Sequence, residues 1–285
     1  MASLREIRKR LQSIYNIQQL TKAMEMVAAS RLHQVQIKVK QAKPYVIKLS
    51  EILDRLSQIT QDIKHPLLEQ REVKKVGVVI VAADMGLSGP YNKDIFSAAN
   101  KFLKTYTQEQ VELILVGKKA TDYYKKRPWN IRFEFGEWGE KLTSHQIKTF
   151  ANQLMSWFLI GELDEIWLVY THYVTMMTRK VMVEKFLNIQ QISPKSEKSS
   201  VDYIFEPNPK QIYGAILFNY CMTKFQSILN ESYASELAAR IFAMKAATSN
   251  ADDMIEKLTL VRNKVRQAGI TKEMLEITSG AEGLT

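Results

Sequence analysis

Both ends of the chain carry a helical pattern of apolar positions that the middle lacks. From Ala28 onward, apolar side chains recur at alternating spacings of four and three residues for about five heptads. The same spacing returns near the other end, with two polar residues among the repeating positions. Two such segments on either side of a different sequence predict one antiparallel coiled coil interrupted by a domain. The repeating positions are Leu32, Val35, Val39, Ala42, Val46, Leu49, Leu53 and Leu56 in the first segment, and Leu237, Ile241, Met244, Thr248, Ala251, Ile255, Leu258, Arg262, Val265 and Ala268 in the second.

The predicted helices are unusually long. Residues 3–63 would rise about 90 Å and residues 209–278 about 105 Å, so the pair must either form an exposed rod or be enclosed by another protein. The first four apolar positions, Leu4 to Ile14, keep the pattern, but the following ones fall at other spacings. We interpret this as a slip of phase, which would change the local winding of the coiled coil. The residues concerned are Ile17, Leu20, Met24 and Val27.

The middle of the chain alternates strand and helix patterns. Residues 76–83 form an unbroken apolar run typical of a buried parallel strand, and a glycine-containing turn and a helical segment follow it. Further strands are predicted at 111–116, 130–135, 165–173 and 181–190, with helices at 92–106, 118–126 and 145–161. The pattern predicts an α/β domain over 74–206 with an open, mostly parallel, Rossmann-like sheet. It would be inserted between a coiled-coil helix in 1–63 and another in 209–285, giving an α+β chain.

Composition excludes several classes of protein. The 285 residues are 46% hydrophobic and 25% charged, as in an ordinary folded protein. The longest apolar run is about eight residues, far below the roughly 20 needed to cross a bilayer, and the N-terminus does not resemble a secretory signal, so we expect a cytoplasmic location. The single cysteine, Cys221, excludes an internal disulfide, and four scattered histidines give no zinc-binding spacing.

The net charge of +10 is concentrated in the first helix. Residues 1–60 hold 11 Lys or Arg against 4 Asp or Glu. Such an excess suits nucleic acid, an anionic membrane surface or an acidic protein partner, although it also suits the solvated side of a coiled coil. One alternative function is therefore a basic coiled-coil protein that binds nucleic acid.

The turn after the first strand is the best candidate for a ligand site. Backbone amides at a helix N-terminus hold anions, but the turn lacks the three glycines of a dinucleotide fingerprint, and Asp84 would repel phosphate. A dinucleotide-binding enzyme is thus a weaker alternative, and no cofactor is expected. The turn consists of Asp84, Met85, Gly86, Leu87, Ser88 and Gly89.

Neither carboxylates nor aromatic residues make a stronger site. Asp252, Asp253 and Glu256 share a helix face but are expected to be solvated. An aromatic and arginine-containing stretch could stack on single-stranded nucleic acid, yet its alternation fits an edge strand better. The stretch contains Tyr106, Arg127, Trp129, Arg132, Phe133, Phe135 and Trp138.

Ordered motifs over essentially the whole chain resemble the gamma subunit of F-type ATP synthases. The N-terminal run from Thr21 to Ala29, Lys43-Pro44-Tyr45 at a mid-helix break, and the glycine turn through Asn92 are similar to that family. The C-terminal motifs are the strongest, and they comprise Ser235-Glu236, Ala238-Ala239-Arg240, Ala243 to Thr248, Asn263-Lys264, Arg266-Gln267-Ala268, Ile270-Thr271, Glu276-Ile277 and Ser279-Gly280-Ala281. The chain departs from the family at Ser88, where cysteine is usual, and at Gly269, which could loosen the last turns.

The resemblance implies a central rotor shaft that is not itself catalytic. It implies alpha and beta subunits as a surrounding hexamer, an epsilon subunit and a c ring as partners, and a peripheral position at the cytoplasmic face of the inner membrane, held only through the c ring. It places polar contacts to the beta subunits at Arg266, Gln267 and Thr271. It also places the shaft level facing the beta-subunit lever at Lys22, Met24 and Arg240, and the foot near the c ring at Tyr203 and Glu206.

Overall fold

A computed structural model of the chain describes residues 3–59, 65–69, 71–139, 143–188 and 209–282. The elements in chain order are α1 (Leu4–Ile59), a short 3-10 helix (Pro66–Leu68), β1 (Val76–Val81), α2 (Tyr91–Leu103), β2 (Val111–Val116), α3 (Lys118–Tyr124), β3 (Asn130–Phe135), α4 (Ser144–Leu159), β4 (Glu165–Tyr173), β5 (Arg179–Leu187) and α5 (Pro209–Glu282). The chain divides into two compact units, one of residues 1–29 with 240–285 and the other of residues 30–239.

The larger unit, residues 30–239, is built on a five-stranded sheet in the order β3-β2-β1-β4-β5. The first four strands are parallel, and β5 pairs antiparallel with β4 through a hairpin. β1 and β2 are buried along their whole length because helices cover both faces of the sheet. The predicted mostly parallel, Rossmann-like sheet is confirmed.

Two apolar clusters fill the two faces of the sheet. On one face, α4 and the first part of α5 pack against β1, β2 and β4, where Phe225 contacts the rings of Phe150 and Phe186. On the other face, α2 and α3 cover the alternate side chains of the same strands. Thr143 caps the N-terminus of α4 with a capping box, in which its side chain accepts from the Gln146 amide and the Gln146 side chain accepts from the Thr143 amide.

The smaller unit pairs the beginning of α1 with the end of α5. Ile7, Leu11 and Ala28 of α1 are buried, as are Met244 and Ala251 of α5. Between the buried apolar residues of α1, the repeating positions are taken by polar side chains. The Thr21 and Thr248 hydroxyls lie 2.8 Å apart across the helix pair, and the Gln18 amide donates to the Asp252 carboxylate.

The predicted slip of phase is therefore wrong. The heptad spacing runs unbroken from Ile14 through Gln18, Thr21 and Glu25 to Ala28, because cross-helix hydrogen bonds satisfy Gln18 and Thr21 inside the seam. The apolar residues that suggested a slip belong to a neighbouring face of α1. Of these, Ile17, Leu20 and Val27 are exposed, and Met24 is half-buried.

Two other sequence features leave the helices intact. α1 continues through Pro44, where the resemblance suggested a break, and α5 continues through Gly269 to Glu282. Proline removes one backbone donor from a helix, but the flanking turns keep helical geometry here. Strand β5 begins two residues before the predicted strand at 181–190, and helices α2 and α4 each begin one residue before their predicted starts.

Candidate functional site

The glycine turn after β1 is organised by the side chain of Asp84. Its Oδ1 accepts hydrogen bonds from the amides of Lys118 and Glu137 at 3.1 and 3.0 Å, and its Oδ2 accepts from the amide of Gly139 at 3.2 Å. One carboxylate thus joins the loops that follow β1, β2 and β3 at the carboxyl edge of the sheet. Asp84 has a structural role, and its negative charge makes the edge unsuitable for a phosphate.

The rest of the turn presents apolar side chains to solvent. Met85 and Leu87 are both more than half exposed, and Leu87 and Gly89 have positive φ angles of 64° and 58°. A hydrogen bond from the Ala83 amide to the Asn92 side chain connects the turn to α2. Ser88 is buried, and its hydroxyl has no hydrogen-bond partner among the described residues. Of the two glycines in the turn, only Gly89 has a backbone conformation that favours glycine. The space around Gly86 is open.

The crevice between β1 and β4, where open α/β sheets bind ligands, is filled by α5. The Tyr91 hydroxyl donates to the Ser232 carbonyl at 3.1 Å, and the Ser235 hydroxyl donates to the Thr171 carbonyl at 3.2 Å. Ser232, Ser235 and the neighbouring Glu236 are almost completely buried there. Burial, together with the nearby Glu236 carboxylate, raises the pKa of Tyr91 well above its ordinary value. The chain's own helix thus occupies the place of a dinucleotide.

Trp138 belongs to the interior of the fold. It is 1% exposed, and its indole N–H donates to the Ala82 carbonyl at 2.7 Å. The indole lies against Gly117, whose φ is +94° and where an added Cβ would lie 2.1 Å from the Ala82 oxygen. This burial contradicts a stacking surface for single strands that includes Trp138. Phe133 and Phe135 likewise contact Phe150 of α4.

A cluster of charges lies around the buried side chain of Glu112 on β2. Its two oxygens bond to Lys75 at 3.2 Å and to Arg132 at 2.5 Å, and Arg132 stacks over Trp157 and also bonds to Glu162. Burial alone would raise the pKa of Glu112, but the two hydrogen-bonded cations outweigh this effect, so its pKa lies below the ordinary value. The cluster stabilises the sheet, and each member has a structural partner.

In the smaller unit, the most conspicuous surface is the stripe formed by Ile17, Leu20, Met24 and Val27. These residues are spaced three or four apart and so share one face of α1, next to the seam. Nearby, the Lys22 ammonium is exposed and lies 3.1 Å from the Glu25 carboxylate. The sequence pattern was interpreted as placing these four residues in a slipped seam rather than on an exposed face, and only Met24 among them was predicted to face a partner. The unbroken 4-3 spacing through Gln18, Thr21 and Glu25 would have indicated the exposed face.

Near the C-terminal end of α5, residues 266–279 are exposed on all sides. Arg266, Gln267 and Thr271 are solvent-accessible, and the Thr271 hydroxyl donates to the Gln267 carbonyl of its own helix at 3.0 Å. A second apolar stripe accompanies them, because Ile270, Met274 and Ile277 are each at least half exposed at spacings of four and three. Lys22 and Met24 lie elsewhere in this unit, and Arg240 is half-buried at its boundary. Tyr203 and Glu206 lie outside the described residues.

The described ranges contain neither a membrane-spanning helix nor a metal-binding group. None of the helices there is long and apolar enough to cross a membrane. Within the same ranges, no group of three His, Cys, Asp or Glu side chains is arranged to hold a metal ion.

Comparison with known proteins decides the family. A family model described as ATP synthase matches residues 3–284. The chain is 99% identical over 284 residues to the ATP synthase gamma chain of Protochlamydia amoebophila and 41% identical over 284 residues to that of Desulfitobacterium hafniense, with all of each chain covered. The chain belongs to the ATP synthase gamma chain family.

Solved structures agree with this membership at the level of the fold. The rotor of the Euglena gracilis mitochondrial ATP synthase matches with a TM-score of 0.66 and 18% identity, covering 94% of this chain and 98% of that one. The central stalk and c-ring structure from Tetrahymena thermophila matches with a TM-score of 0.60 and 20% identity, covering 80% and 99%.

The family confirms the function predicted from the sequence. The chain is a non-catalytic rotor subunit of an F-type ATP synthase. The alternative of a nucleic-acid-binding coiled coil finds no support in these relatives.

Proposed function

We propose that the two apolar stripes of the smaller unit are the surfaces through which this gamma chain exchanges torque with the alpha/beta hexamer. One observation carries the proposal: α1 keeps polar Gln18 and Thr21 in its seam and leaves Ile17, Leu20 and Val27 in water. Burying a leucine-sized side chain stabilises a protein by about 1.5–3 kcal/mol. A helix that leaves three such side chains exposed has a surface suited to a partner.

The same proposal assigns roles to the predicted contact residues. Lys22 and Met24, with Arg240, would face the beta-subunit lever at the level of the first stripe. At the exposed end of α5, Arg266, Gln267 and Thr271 would make polar contacts to beta-subunit loops beside the second stripe. These side chains supply directional hydrogen bonds, while the apolar stripes allow a surface to slide because dispersion contacts have little directionality.

The finer placement of the subunit is also a proposal. Tyr203 and Glu206 would form the foot near the c ring. The subunit would sit at the cytoplasmic face of the inner membrane, held peripherally through the c ring. The chain would then divide by function. The shaft would consist of the helices within 1–63 and 209–285, and the foot would belong to the domain over 74–206.

The test is ATP turnover in a reconstituted complex with alpha and beta subunits. Arg266→Ala and Gln267→Ala are expected to lower turnover severalfold while the melting temperature of the isolated chain stays unchanged, because exposed substitutions change stability by less than about 0.5 kcal/mol. Gln108→Ala is a matched control for Gln267→Ala, since Gln108 is also exposed and lies in the loop before β2. Normal turnover in both α5 variants, or loss of the folded chain, would contradict the contact role.

A further inference from the structure

A groove lies between α1, α4 and α5 in the larger unit, and it shares no residue with the two apolar stripes. Its volume is about 600 Å³, which is within the range of clefts that bind ligands or peptide segments. Most of its lining residues are polar, and they come from three helices of the unit. The lining residues are Lys38, Gln41, Tyr45, Ser144, Ile147, Lys148, Asn219, Met222, Thr223, Gln226 and Asn230.

The charge of the groove is one-sided. Two lysines line it and no carboxylate does. Neither Lys38 nor Lys148 makes an ion pair with any residue in the described ranges. Some lysines elsewhere in this unit do have a carboxylate partner, as Lys185 has in Glu165 and Lys224 in Glu184. The groove is therefore a place where positive charge stays uncompensated by the chain itself, which favours a negatively charged occupant.

The uncharged lining suits a peptide rather than a bare ion. The side-chain amides of Gln41, Gln226 and Asn230 make no hydrogen bond to other described residues, so they are available to main-chain N–H and C=O groups. Ile147 gives the groove a buried apolar floor, and Tyr45, which is 54% exposed, supplies an aromatic face at its rim. An apolar floor with a polar rim and an aromatic residue is the usual anatomy of a protein interface.

We propose that this groove binds a short acidic segment of a partner subunit in the assembled enzyme. Carboxylates of that segment would pair with Lys38 and Lys148, and its backbone would bond to the amides of the groove. The proposal rests on membership of an assembly but not on the torque contacts proposed above, because the groove shares no residue with either stripe.

Photocrosslinking in the assembled ATP synthase tests the proposal. The photoreactive residue p-benzoylphenylalanine replaces Gln226 inside the groove or, as a control, Gln108 outside it, and mass spectrometry identifies the crosslinked peptide. We expect the Gln226 site alone to capture a segment rich in Asp and Glu. Combining Lys38→Glu with Lys148→Glu should lower the yield roughly tenfold, since two attractive pairs become repulsive. The matched pair Lys40→Glu with Lys126→Glu makes the same change of charge at exposed positions outside the groove and should leave the yield unchanged.

Several outcomes would overturn the proposal. These are capture of a neutral or basic segment, capture that ignores the charge reversal, and no capture at Gln226 in a complex that turns over ATP normally. ATP and inorganic phosphate are also titrated onto the isolated chain. Saturable binding of either that is lost in the Lys38→Glu variant would assign the groove to a small anion instead. Because ATP turnover is recorded in each complex, failure of the torque contacts and failure of the groove are distinguishable.

Discussion

Replacing Leu11 and Leu20 by alanine, one at a time, distinguishes the buried face of α1 from its exposed face. The two substitutions remove the same atoms from the same helix, and their effects on helix propensity cancel in the comparison. Leu11 is 4% exposed in the seam, whereas Leu20 is 57% exposed on the stripe. Any difference in stability between the two variants therefore reports which face of α1 contacts α5.

The expected magnitude follows from burial. Truncating a buried core leucine to alanine costs about 2–5 kcal/mol of stability. We expect Leu11→Ala to cost about 2 kcal/mol, because only one helix covers this side chain. Leu20→Ala should change stability by less than about 0.5 kcal/mol. Hydrogen exchange of the amides in residues 4–29 measures this local opening, and about 2 kcal/mol corresponds to roughly 30-fold faster exchange.

ATP turnover should depend on the exposed face of α1, unlike the stability of the helix pair, which depends on the buried face. In a reconstituted complex, Leu20→Ala should lower ATP turnover although the helix pair stays closed, because the stripe loses contact area with its partner. If Leu20→Ala accelerates exchange as much as Leu11→Ala does, then Leu20 lies in the seam. The phase of α1 described above would then be wrong, and the stripe would not be an exposed surface.

Three further outcomes are expected from the larger unit. Gly117→Ala should cost several kcal/mol and lower the melting temperature by roughly 10 °C or more, because its Cβ would collide with the Ala82 carbonyl; an unchanged melting curve would contradict the close approach. The Cys221 thiol, 1% exposed and with a pKa raised to about 12 by burial, should resist thiol reagents until the unit unfolds, and rapid labelling of the native chain would refute this. The lowered pKa of Glu112 means that its ion pairs stabilise the fold above the ordinary pKa of 4.5 and are lost as pH falls through the lower folded pKa. Glu112→Gln should therefore destabilise the chain at pH 7 and less so in strong acid, as measured by urea unfolding, and a pH-independent difference would contradict the ion-pair role.

The parts of the fold that follow local pattern could be predicted from the sequence. The all-apolar run of β1 predicted a buried parallel strand, and the 4-3 spacing after Ala28 predicted a long paired helix. These predictions hold because a buried strand or a paired helix needs apolar side chains at regular positions along its whole length. The sequence of the segment therefore records the pattern. Strand β5 was predicted as a strand, but its antiparallel pairing arises from a hairpin at residues 174–178, where no strong turn signal stands in the sequence.

The candidate sites depended on contacts that local pattern does not record. From its hydrophobicity alone, Leu20 was expected to lie in the seam between the two helices. The seam position is instead taken by Thr21, whose hydroxyl bonds to the Thr248 hydroxyl across the helix pair. Similarly, the sequence indicated only that Asp84 would repel a phosphate at the turn. Its structural role was not predicted, because its three amide partners come from positions 34 to 55 residues away. The filling of the sheet crevice by Ser232 and Ser235 is equally non-local, since α5 lies far along the chain from β1.

Rotation of the chain inside its complex tests the central claim most directly. Because Cys221 is buried, Lys126→Cys provides an accessible thiol on the larger unit to which a bead can be attached. With the alpha/beta hexamer fixed to a surface and ATP supplied, the bead should turn continuously in one direction, and the isolated chain should hydrolyse no ATP. A stationary bead on a complex that hydrolyses ATP at the normal rate would contradict the claim that this chain is the rotating shaft.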